Sequence, residues 1–501
     1  MRQVESELKF TIGAADPLPE VGYLVEVGPV REQRMRAVYV DTQDLCLVSH
    51  RITLRRREGG ADAGWHLKLP RPDGTRLEVH APLGDGPGRL RVPRALHEEL
   101  RVALGEELPD GAEGALLPSA VLVTHRVELD LLDPVRPEVV LAQLCDDRVT
   151  ALPAGDTWRE LEVELVDGDT GLLEQLASSF EGQGVPLADH PSKLTRALGD
   201  RPERARRGEP PSAEGPAADV VLAHLAAQVA VIVAREGDVR ADVPDAVHRT
   251  RVATRRLRSS LRTFRRLLDR EVTDPLREEI RWFATALGEP RDAEVVRDHL
   301  LAAVQDLAEH EVVGPVRERV RSELDQLHAA AHHALVQVLD SERYLELVDR
   351  LLELLAAPPW RGRASGRAGT VLPDLVGRAV DRARTEADAA ARAEGEQRVR
   401  LLHETRKRAK AVRYACEALA PTLGGQASGA AEAWEQVTET LGAVQDAALA
   451  VDRLRALADT ARRAGEPSQT YDLLAAREAA RAQAVQEAEA ALGRALEHGW
   501  P

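Results

Sequence analysis

The chain has 501 residues, of which 44% are hydrophobic and 30% are charged, and its formal net charge is −16. This length and composition are typical of a globular protein with two or more domains, and no run of 18 apolar residues predicts a membrane span. The negative net charge argues against a general nucleic-acid-binding protein, because such a protein needs a positively charged working surface.

The N-terminal segment and the cysteines indicate the cellular compartment. The chain becomes polar by Glu5, so it lacks the apolar stretch of a signal peptide, and we expect a cytoplasmic protein. Cys46, Cys145 and Cys416 lie too far apart for a CxxC metal or redox motif. We expect them to be small core residues rather than disulfide partners.

Sequence patterns divide the chain into three regions. Residues 1–198 show the period-two alternation and the turn residues that predict antiparallel strands. Residues 199–216 are rich in Pro, Gly and Arg without periodicity, which predicts a linker. Residues 217–500 carry Ala, Leu, Arg and Glu at helical spacing, and a second linker-like stretch at 357–374 interrupts them. The expected fold class is therefore multidomain α+β.

Two segments of the first region place charged residues at alternate positions. In "VESELKF", Glu5, Glu7 and Lys9 alternate with mostly apolar residues, and "WRELEVEL" repeats the pattern with three glutamates. Alternate side chains of a strand share one face, so each segment predicts a charged face and an apolar face. The glutamates of the second segment are Glu160, Glu162 and Glu164.

Basic residues occur at matching positions in other predicted strands and near the end of the first region. They are Arg55, Arg57, Lys68, Arg126 and Lys193. Acids and bases on the same face of several strands predict a closed barrel with a charged lumen. The alternative is an open sheet with one solvated, salt-bridged face. Grouped carboxylates form oxygen sites suited to Mg²⁺ or Mn²⁺, and the bases would supply counter-charge to phosphate oxygens.

The helical region contains an internal repeat. "VHRTRVATRRLRSSL" and "LHETRKRAKAVRYAC" align on His248 and His403, and both copies have basic residues at +3, +7 and +10. "LGEPRD" and "LGAVQD" follow, and the Asp of each copy lies 44 or 43 positions after the His. Two halves, about 217–356 and 372–500, therefore share one plan.

The repeated helices carry uncompensated positive charge. Residues 248–266 contain eight Arg and no Asp or Glu, so no ion pair within this segment neutralises them. Acidic residues on neighbouring helices could neutralise such a face, but two copies in register favour an anion site. The low aromatic content favours a phosphate chain over a nucleic acid. The predicted anion-binding residues are His248, Arg251, Arg255, Arg258, Arg262, His403, Arg406, Lys410 and Arg413.

Lysine is rare, and every lysine lies in one of the segments described above. The five are Lys9, Lys68, Lys193, Lys407 and Lys410. Lysine presents a compact point charge whereas arginine presents a planar fork. We interpret the retained lysines as a requirement of sites crowded with phosphate and metal.

The charged strands and the repeated helices resemble two known families. The Glu-x-Glu-x-Lys opening, "YVDTQDLCLVSHRITLRRR", "WHLKLP", the acidic strand ending at Glu164 and the late "SK" resemble a CYTH domain of the triphosphate tunnel metalloenzymes. The His-led helices resemble a CHAD domain. The CYTH resemblance implies an eight-stranded antiparallel β-tunnel with flanking helices that binds a triphosphate and a divalent metal. The CHAD resemblance implies an all-α helical bundle that binds inorganic polyphosphate.

The CYTH resemblance assigns three groups of residues by motif. The implied metal ligands are Glu5, Glu7, Asp146, Glu162 and Glu164. The implied triphosphate ligands are Lys9, Arg55, Arg57, Lys68, Arg126 and Lys193. The implied catalytic group is Glu5, Glu7 and Lys9.

These features predict a hydrolase with two phosphate ligands. We expect Mg²⁺- or Mn²⁺-dependent hydrolysis of the terminal phosphoanhydride of a linear triphosphate, inorganic triphosphate first, and inorganic polyphosphate binding by the helical half. We expect no membrane partner, no specific nucleic acid, and a location in the cytoplasm or at polyphosphate granules. A non-catalytic polyphosphate scaffold and an adenylate cyclase are the alternatives. A cyclase needs a pocket for the base or ribose, for which no aromatic candidate stands out.

Overall fold

A computed structural model describes residues 2–72, 75–86, 88–152, 155–190, 192–482 and 486–497. Within these ranges, the side chains of 2–5, 396, 444, 445, 482, 486–490 and 497 lie outside the description. The chain forms two compact units, and each is described by itself. The first comprises Met1–Glu209 with Val348–Pro358, and the second comprises Pro210–Leu347 with Pro359–Pro501.

The first unit is built on one antiparallel sheet. Its strands, within the described residues, are β1 (Arg2–Glu5), β2 (Glu7–Thr11), β3 (Glu26–Asp41), β4 (Thr53–Glu58), β5 (Gly64–Pro70), β6 (Arg76–Ala81), β7 (Leu117–Leu132), β8 (Val140–Leu152) and β9 (Thr157–Leu165). Their order in the sheet is β1-β6-β5-β4-β3-β7-β8-β9-β2. The predicted antiparallel strands are confirmed.

The two ends of this strand order are joined by the chain itself. β1 pairs with β6 and β2 pairs with β9, although only Ser6 separates β1 from β2 in sequence. Because one nearly continuous segment pairs with both edges, the sheet closes on itself into a tunnel. Counted as one interrupted strand, β1 and β2 complete the predicted eight-stranded tunnel.

Short helices cover the tunnel. They are α1 (Cys46–Ser49), α2 (Arg94–Leu104), α3 (Thr170–Gly182), α4 (Lys193–Leu198) and α5 (Arg201–Arg206), with a 3₁₀ turn at Gly105–Glu107. α3 begins at Asp169, whose carboxylate accepts a hydrogen bond from the Leu172 backbone N–H at 3.0 Å. α5 lies inside the stretch 199–216, which we predicted to be a linker without structure.

Apolar faces of the strands pack under these helices. Phe10 and Leu161 pack against Phe180 of α3, and the rings of Phe10 and Phe180 lie 4.9 Å apart. On the opposite wall, leucines of α2 pack against Leu54 and Leu67. Because these faces look outward into the helices, the alternate side chains of the same strands look into the lumen.

The chain after α5 is helical. Its helices are α6 (Ala217–Ala234), α7 (Glu236–Arg240), α8 (Ala246–Thr263), α9 (Arg270–Ala286), α10 (Gly288–Gln305), α11 (Val316–Leu339), α12 (Glu342–Ala356), α13 (Ala368–Ala391), α14 (Gly395–Leu423), α15 (Gly425–Arg463), α16 (Gln469–Ala482) and α17 (Gln486–Glu497), with a 3₁₀ turn at Glu309–Glu311. The part of α12 from Val348 onward belongs to the first unit. The predicted helical region is confirmed.

The repeat appears in the structure as two related helix pairs. The two His-led segments form α8 and part of α14, and these helices contact each other. Leu257, Leu261 and Phe264 of the first copy are fully buried, as the helical pattern predicts. The copies differ downstream, because "LGEPRD" starts a new helix at Gly288 whereas "LGAVQD" lies within the continuous α15.

One described helix is long and apolar enough to cross a membrane, judged by length and composition alone. α6 has a mean hydropathy of 2.0 over 18 residues, and 44% of that window is buried. The sequence patterns did not single out this helix, because Asp219, His224 and Gln228 interrupt its run of apolar residues. Within the second unit α6 packs against α8, α13 and α14, as a core helix does.

Candidate functional site

The register of the sheet aligns charged residues along the lumen. Glu7 lies opposite Glu164, and Lys9 lies opposite Glu162. On the other side of β9, Asp147 lies opposite Glu160. Residues that lie directly opposite each other in an antiparallel pair share a face. The charged side chains that point into the tunnel together are therefore Glu7, Lys9, Glu160, Glu162 and Glu164 of β2 and β9 and Asp147 of β8.

Lys193 is the centre of the buried charge network. Its Nζ lies 2.9 Å from Asp147 Oδ2, 2.9 Å from Glu160 Oε1 and 2.6 Å from Glu162 Oε1. Ser192 caps α4 by accepting a hydrogen bond from the Thr195 backbone N–H at 3.1 Å, and Lys193 is the first residue of that helix. Burial opposes the positive charge of Lys193, yet the three carboxylates hold its pKa well above the usual value.

Glu162 is held by three cations. In addition to Lys193, it accepts from Lys9 and from Arg126, whose Nη2 lies 2.6 Å from Glu162 Oε2. Arg126 also binds Asp147 through two nitrogens at 2.8 and 2.7 Å. Burial raises the pKa of the Glu162 carboxyl, but Lys193, Lys9 and Arg126 hold that pKa well below the ordinary value. Glu162 is therefore ionised and saturated with protein donors.

Glu7 and Glu164 form a less compensated pair of carboxylates. Burial raises the pKa of Glu7, but Lys9, whose Nζ lies 3.0 Å from Glu7 Oε2, turns the net shift downward. The pKa of Glu164 is raised chiefly by burial; Lys68 opposes this shift, and the like charges of Glu7 and Glu162 add to it. A cation beside Glu164 would relieve both the burial cost and the repulsion.

These carboxylates fit a hard divalent cation. Glu7 and Glu164 face each other across the β2–β9 ladder, and Mg²⁺ or Mn²⁺ prefers such oxygen ligands. Glu5 follows the same alternation, and its backbone pairs with Arg76 in the β1–β6 ladder. The side chain of Glu5 lies outside the described residues, so its predicted role stays a prediction.

The opposite wall of the lumen is basic. Arg55 donates from Nη1 to the Tyr39 hydroxyl at 3.2 Å, and Arg57 pairs with the largely exposed Asp62. Burial and the like charges of Arg55 and Arg126 lower the pKa of Arg57 to about 9. Lys68 shares this face, because it lies opposite Thr53 on β4. A bound anion would relieve this crowding of positive charge.

Asp146 requires a correction. It lies opposite Leu161, on the outer face of β8, and Arg159 binds it through two nitrogens at 2.7 and 2.9 Å. Its neighbour Asp147 occupies the lumen face and contacts Arg126 and Lys193. The reason is the period of the strand, which turns adjacent residues to opposite faces. Asp146 is therefore an outer structural partner of Arg159.

Sequence reasoning also missed a histidine pair on the basic wall. His66 and His80, which the sequence patterns did not single out, lie opposite each other on the lumen-facing positions of β5 and β6. His66 Nδ1 lies 2.8 Å from Glu78 Oε1, and burial lowers its pKa to about 4. The alternation of "WHLKLP" and "RLEVHA" contained this signal, since His66 is two residues from Lys68.

Four basic residues of the two repeats converge in the second unit. Arg255 and Arg406 are near enough to Lys410 that, after burial, their charges lower the pKa of Lys410 to about 7. Arg251 contributes to the same effect and pairs with Asp292 at 2.9 Å. Among the described residues no carboxylate forms an ion pair with Arg255 or Lys410. We call Arg251, Arg255, Arg406 and Lys410 the basic cluster.

The remaining predicted anion ligands differ in their surroundings. His248 is half-buried and His403 is exposed, each near the start of its basic segment. Arg258 is half-buried and Arg262 is exposed along α8. Arg413 lies outside the basic cluster, because it pairs with Glu417 at 2.7 Å and with Glu435. For Arg413 the alternative interpretation, an arginine neutralised by nearby acids, describes the structure.

Family comparisons identify both halves of the chain. The CYTH domain family matches residues 3–197, and the CHAD domain family matches residues 223–455. An uncharacterized protein of Mycobacterium tuberculosis strain CDC 1551 is 34% identical over 517 residues, which cover 98% of this chain and 96% of the relative. The chain is a CYTH–CHAD protein. CYTH family members are metal-dependent phosphate hydrolases or cyclases, so the CYTH–CHAD protein belongs to a family of phosphate-acting enzymes.

Solved structures resemble parts of the CYTH–CHAD protein. PptA from Streptomyces chartreusis is 20% identical with a TM-score of 0.45, and the match covers 56% of this chain and 99% of PptA. The CHAD domain from Ricinus communis is 25% identical with a TM-score of 0.45, covering 56% and 93%. A Hippeastrum protein described as a putative adenylyl cyclase with a dominant triphosphatase activity is 16% identical with a TM-score of 0.23, covering 41% and 96%.

The CYTH–CHAD protein also has a possible metal site in its helical unit. Asp242, Glu294 and His328 each bring one ligand atom within 4.8 Å of the others. His328 Nε2 lies 3.0 Å from Asp242 Oδ2, and despite burial this carboxylate holds the pKa of His328 above its usual value. The raised pKa is typical of a His–Asp ion pair, and the three residues lie in the helical unit. They are therefore not evidence for a metal ion in the tunnel.

Proposed function

We propose that the CYTH–CHAD protein hydrolyses the terminal phosphoanhydride of a linear triphosphate, with inorganic triphosphate as the preferred substrate, and that its helical unit binds inorganic polyphosphate. One observation carries the first part. Lys9, Lys193 and Arg126 converge on the single carboxylate of Glu162 inside a closed sheet, beside the less compensated Glu7 and Glu164.

When a triphosphate binds, its phosphate oxygens would replace the protein carboxylates as partners of the lumen bases. A linear triphosphate offers the lumen bases more negative charge than Glu162 alone, and on the basic wall it would offset the repulsion of Arg57 by Arg55 and Arg126. Because the bases are already positioned by strand register, little conformational entropy is lost on binding. Their charge also stabilises the negative charge that develops on the leaving phosphate.

Metal binding would use the acidic wall. Glu7 and Glu164 would hold Mg²⁺ or Mn²⁺, joined by Glu5 and by Glu162 once a phosphate has drawn away its cations. The ion would supply charge to phosphate oxygens and lower the pKa of bound water. The chain itself contributes the positioning: the bases align the phosphate chain, and buried carboxylates accept the proton of the attacking water.

Polyphosphate binding is supported by the basic cluster. Arg255 and Lys410 come from different repeats, lie close together and form no ion pair with a carboxylate among the described residues, although the charge of Asp446 partly offsets the lowering of the Lys410 pKa. Phosphate would replace the missing counter-charge, and this replacement would raise the lowered pKa of Lys410. Binding to such a cluster weakens steeply as salt increases, because counterions are no longer released.

A substrate panel tests the proposed reaction. Phosphate release from inorganic triphosphate, ATP and thiamine triphosphate is measured with Mg²⁺ and with Mn²⁺, and the products are identified. We expect orthophosphate and pyrophosphate from inorganic triphosphate, lost in Glu7→Gln and kept in Glu174→Gln, which changes an exposed glutamate on α3. A wild-type protein that releases no phosphate would support a non-catalytic scaffold, and 3′,5′-cyclic AMP from ATP would support a cyclase.

A further inference from the structure

A pocket in the second unit is lined by arginines that the sequence patterns did not single out. It has a volume of about 220 Å³. Arg265 and Arg266 follow the end of α8, whereas Arg378 and Arg382 lie one turn apart on α13. Thr263, Leu375 and Asp381 complete the lining. We call this set the arginine pocket.

The positive charge of the arginine pocket has no sufficient counterpart in the protein. Across the described part of the chain, none of its four arginines forms an ion pair with a carboxylate. Asp381 is the single acid of the lining and pairs with none of them. Burial and then the charges of Arg265, Arg266 and Arg378 lower the pKa of Arg382. A chain with a net charge of −16 therefore concentrates repelling cations around a cavity.

Helix electrostatics explain only two of the four arginines. Arg265 and Arg266 are next to the C-terminal end of α8, where the helix dipole favours positive charge. Arg378 and Arg382 lie in the middle of α13, and two like charges four residues apart destabilise a helix. Both pairs are exposed and could point away from one another into solvent, yet they line a single concavity.

The size and lining of the arginine pocket indicate its ligand. Pockets for drug-sized organic molecules usually have about 300–1,000 Å³, so this cavity suits a smaller group. Leu375 is the one apolar side chain of the lining, and the described lining has no aromatic residue on which a nucleobase could stack. Guanidinium groups bind phosphate oxygens through two parallel hydrogen bonds. The chemistry therefore favours a bare phosphoryl group.

The arginine pocket is separate from the basic cluster. Arg251 and Thr263, the last residue of α8, lie 12 residues apart on that helix, which corresponds to about 18 Å along its axis. Arg258 and Arg262 lie between them and connect the two places by a line of positive charge. A phosphate chain bound at the basic cluster could therefore reach the pocket along α8.

We propose that the arginine pocket is a second phosphate-binding site, which takes one or two phosphoryl groups either as free pyrophosphate or as the end of a polyphosphate chain. Binding of a polyphosphate chain end in the pocket rests on the polyphosphate binding proposed above, whereas binding of free pyrophosphate does not.

Isothermal titration calorimetry of the full chain tests both sources. Pyrophosphate and a polyphosphate of defined length are titrated in metal-free buffer into the wild type, Arg378→Gln/Arg382→Gln and Arg265→Gln/Arg266→Gln. The control is Arg384→Gln/Arg392→Gln, which removes the same charge from two exposed arginines on α13 and at its C-terminal end. Tunnel binding contributes equally to all four proteins, so differences between variants report on the pocket. Thermal unfolding checks that each variant is folded.

We expect at least about a tenfold loss of affinity in both pocket variants and less than about a threefold change in the control. Loss with pyrophosphate supports a site for the free anion, and loss with polyphosphate alone supports a site for the chain end. Pocket variants that match the control with both ligands overturn the proposal. A polyphosphate affinity that is unchanged in Arg255→Ala/Lys410→Ala would instead reject the function proposed for the basic cluster, and it would leave the pyrophosphate result unaffected.

Discussion

At the scale of single residues, Lys193 forms three buried ion pairs in the described tunnel. It neutralises carboxylates that come from β8 and β9, and its side chain is only 9% exposed. Burying ions is costly, and removing one partner of a buried set leaves the others without compensation. The side chains that we propose to bind phosphate in the tunnel therefore also stabilise its fold.

Replacing Lys193 should destabilise the first unit. We expect Lys193→Gln to lower its free energy of unfolding by about 3–5 kcal/mol, because Asp147, Glu160 and Glu162 lose their shared cation. Arg94→Gln is the control, since Arg94 is 93% exposed and pairs with Glu98 on the surface, and its loss should cost less than about 1 kcal/mol. Urea denaturation followed by circular dichroism measures both. Equal midpoints would show that the network does not stabilise the fold.

Lys410 should make polyphosphate binding depend on pH. Its pKa of about 7 in the free protein means that it is charged at pH 6 and mostly neutral at pH 8.5. Phosphate favours the charged form, so binding at high pH must take up a proton and affinity should fall as pH rises. Lys410→Arg should retain its affinity at pH 8.5. Titrations at pH 6, 7 and 8.5 decide this, and identical pH profiles of the two proteins would contradict it.

At the scale of helices, two glycines lie beside the arginine three residues after the histidine of each repeat. A Cβ on Gly442 of α15 would lie 2.8 Å from Arg406 Nη2, which is too close, whereas a Cβ on Gly288 of α10 would lie 3.6 Å from Arg251 Nη2. The Leu-Gly of each repeat thus lets a guanidinium lie against the downstream helix. The closer approach in the second copy makes Arg406 the more sensitive of the two.

Alanine at the two glycines should separate these effects. Gly442→Ala should displace Arg406 and weaken polyphosphate binding by about three- to tenfold, through the loss of one charged contact. Gly288→Ala should leave affinity nearly unchanged, because its Cβ meets an ordinary contact distance. Neither should lower the melting temperature, since alanine favours helix over glycine. Fluorescence anisotropy with labelled polyphosphate gives both affinities, and equal losses would refute the steric explanation.

At the scale of the whole molecule, two different architectures supply two kinds of phosphate site. The closed sheet surrounds its charges, so the tunnel bases meet a ligand from several sides. The helices of the second unit present charge along a surface, which suits an extended polymer better than a short substrate. The two sites use different residues in separate compact units.

This division of labour predicts opposite phenotypes. Glu7→Gln should abolish phosphate release and leave polyphosphate affinity unchanged, because Glu7 lies in the tunnel. Arg255→Ala/Lys410→Ala should weaken polyphosphate binding by at least about tenfold, reduce its salt dependence and leave phosphate release intact. Both activities are measured on each purified, folded protein. A variant that loses both functions without unfolding would contradict the proposed separation.

Strand period explains what could be predicted about the tunnel. The alternation in "VESELKF" and "WRELEVEL" was sufficient to place Lys9, Glu160 and Glu162 on one face. The alternation could not show which of Asp146 and Asp147 faces the lumen, because two adjacent acids do not reveal which face of the strand is inside. Only the pairing of β8 with β9 shows this. For Arg413 a local signal was overlooked, since Glu417 lies four residues further along the same helix.

By itself the sequence determined the two-part architecture, the charged faces of the strands and the repeated basic helices, because these follow from periods of two and 3.6 residues that short segments contain. Closure of the sheet depends on the pairing of β1 with β6 and of β2 with β9. Only the tertiary structure decided which charges meet. Lys193 reaches carboxylates 31 to 46 residues away in sequence, and the arginine pocket joins residues more than 100 positions apart. Such contacts depend on register and helix packing over the whole unit, which no local pattern specifies.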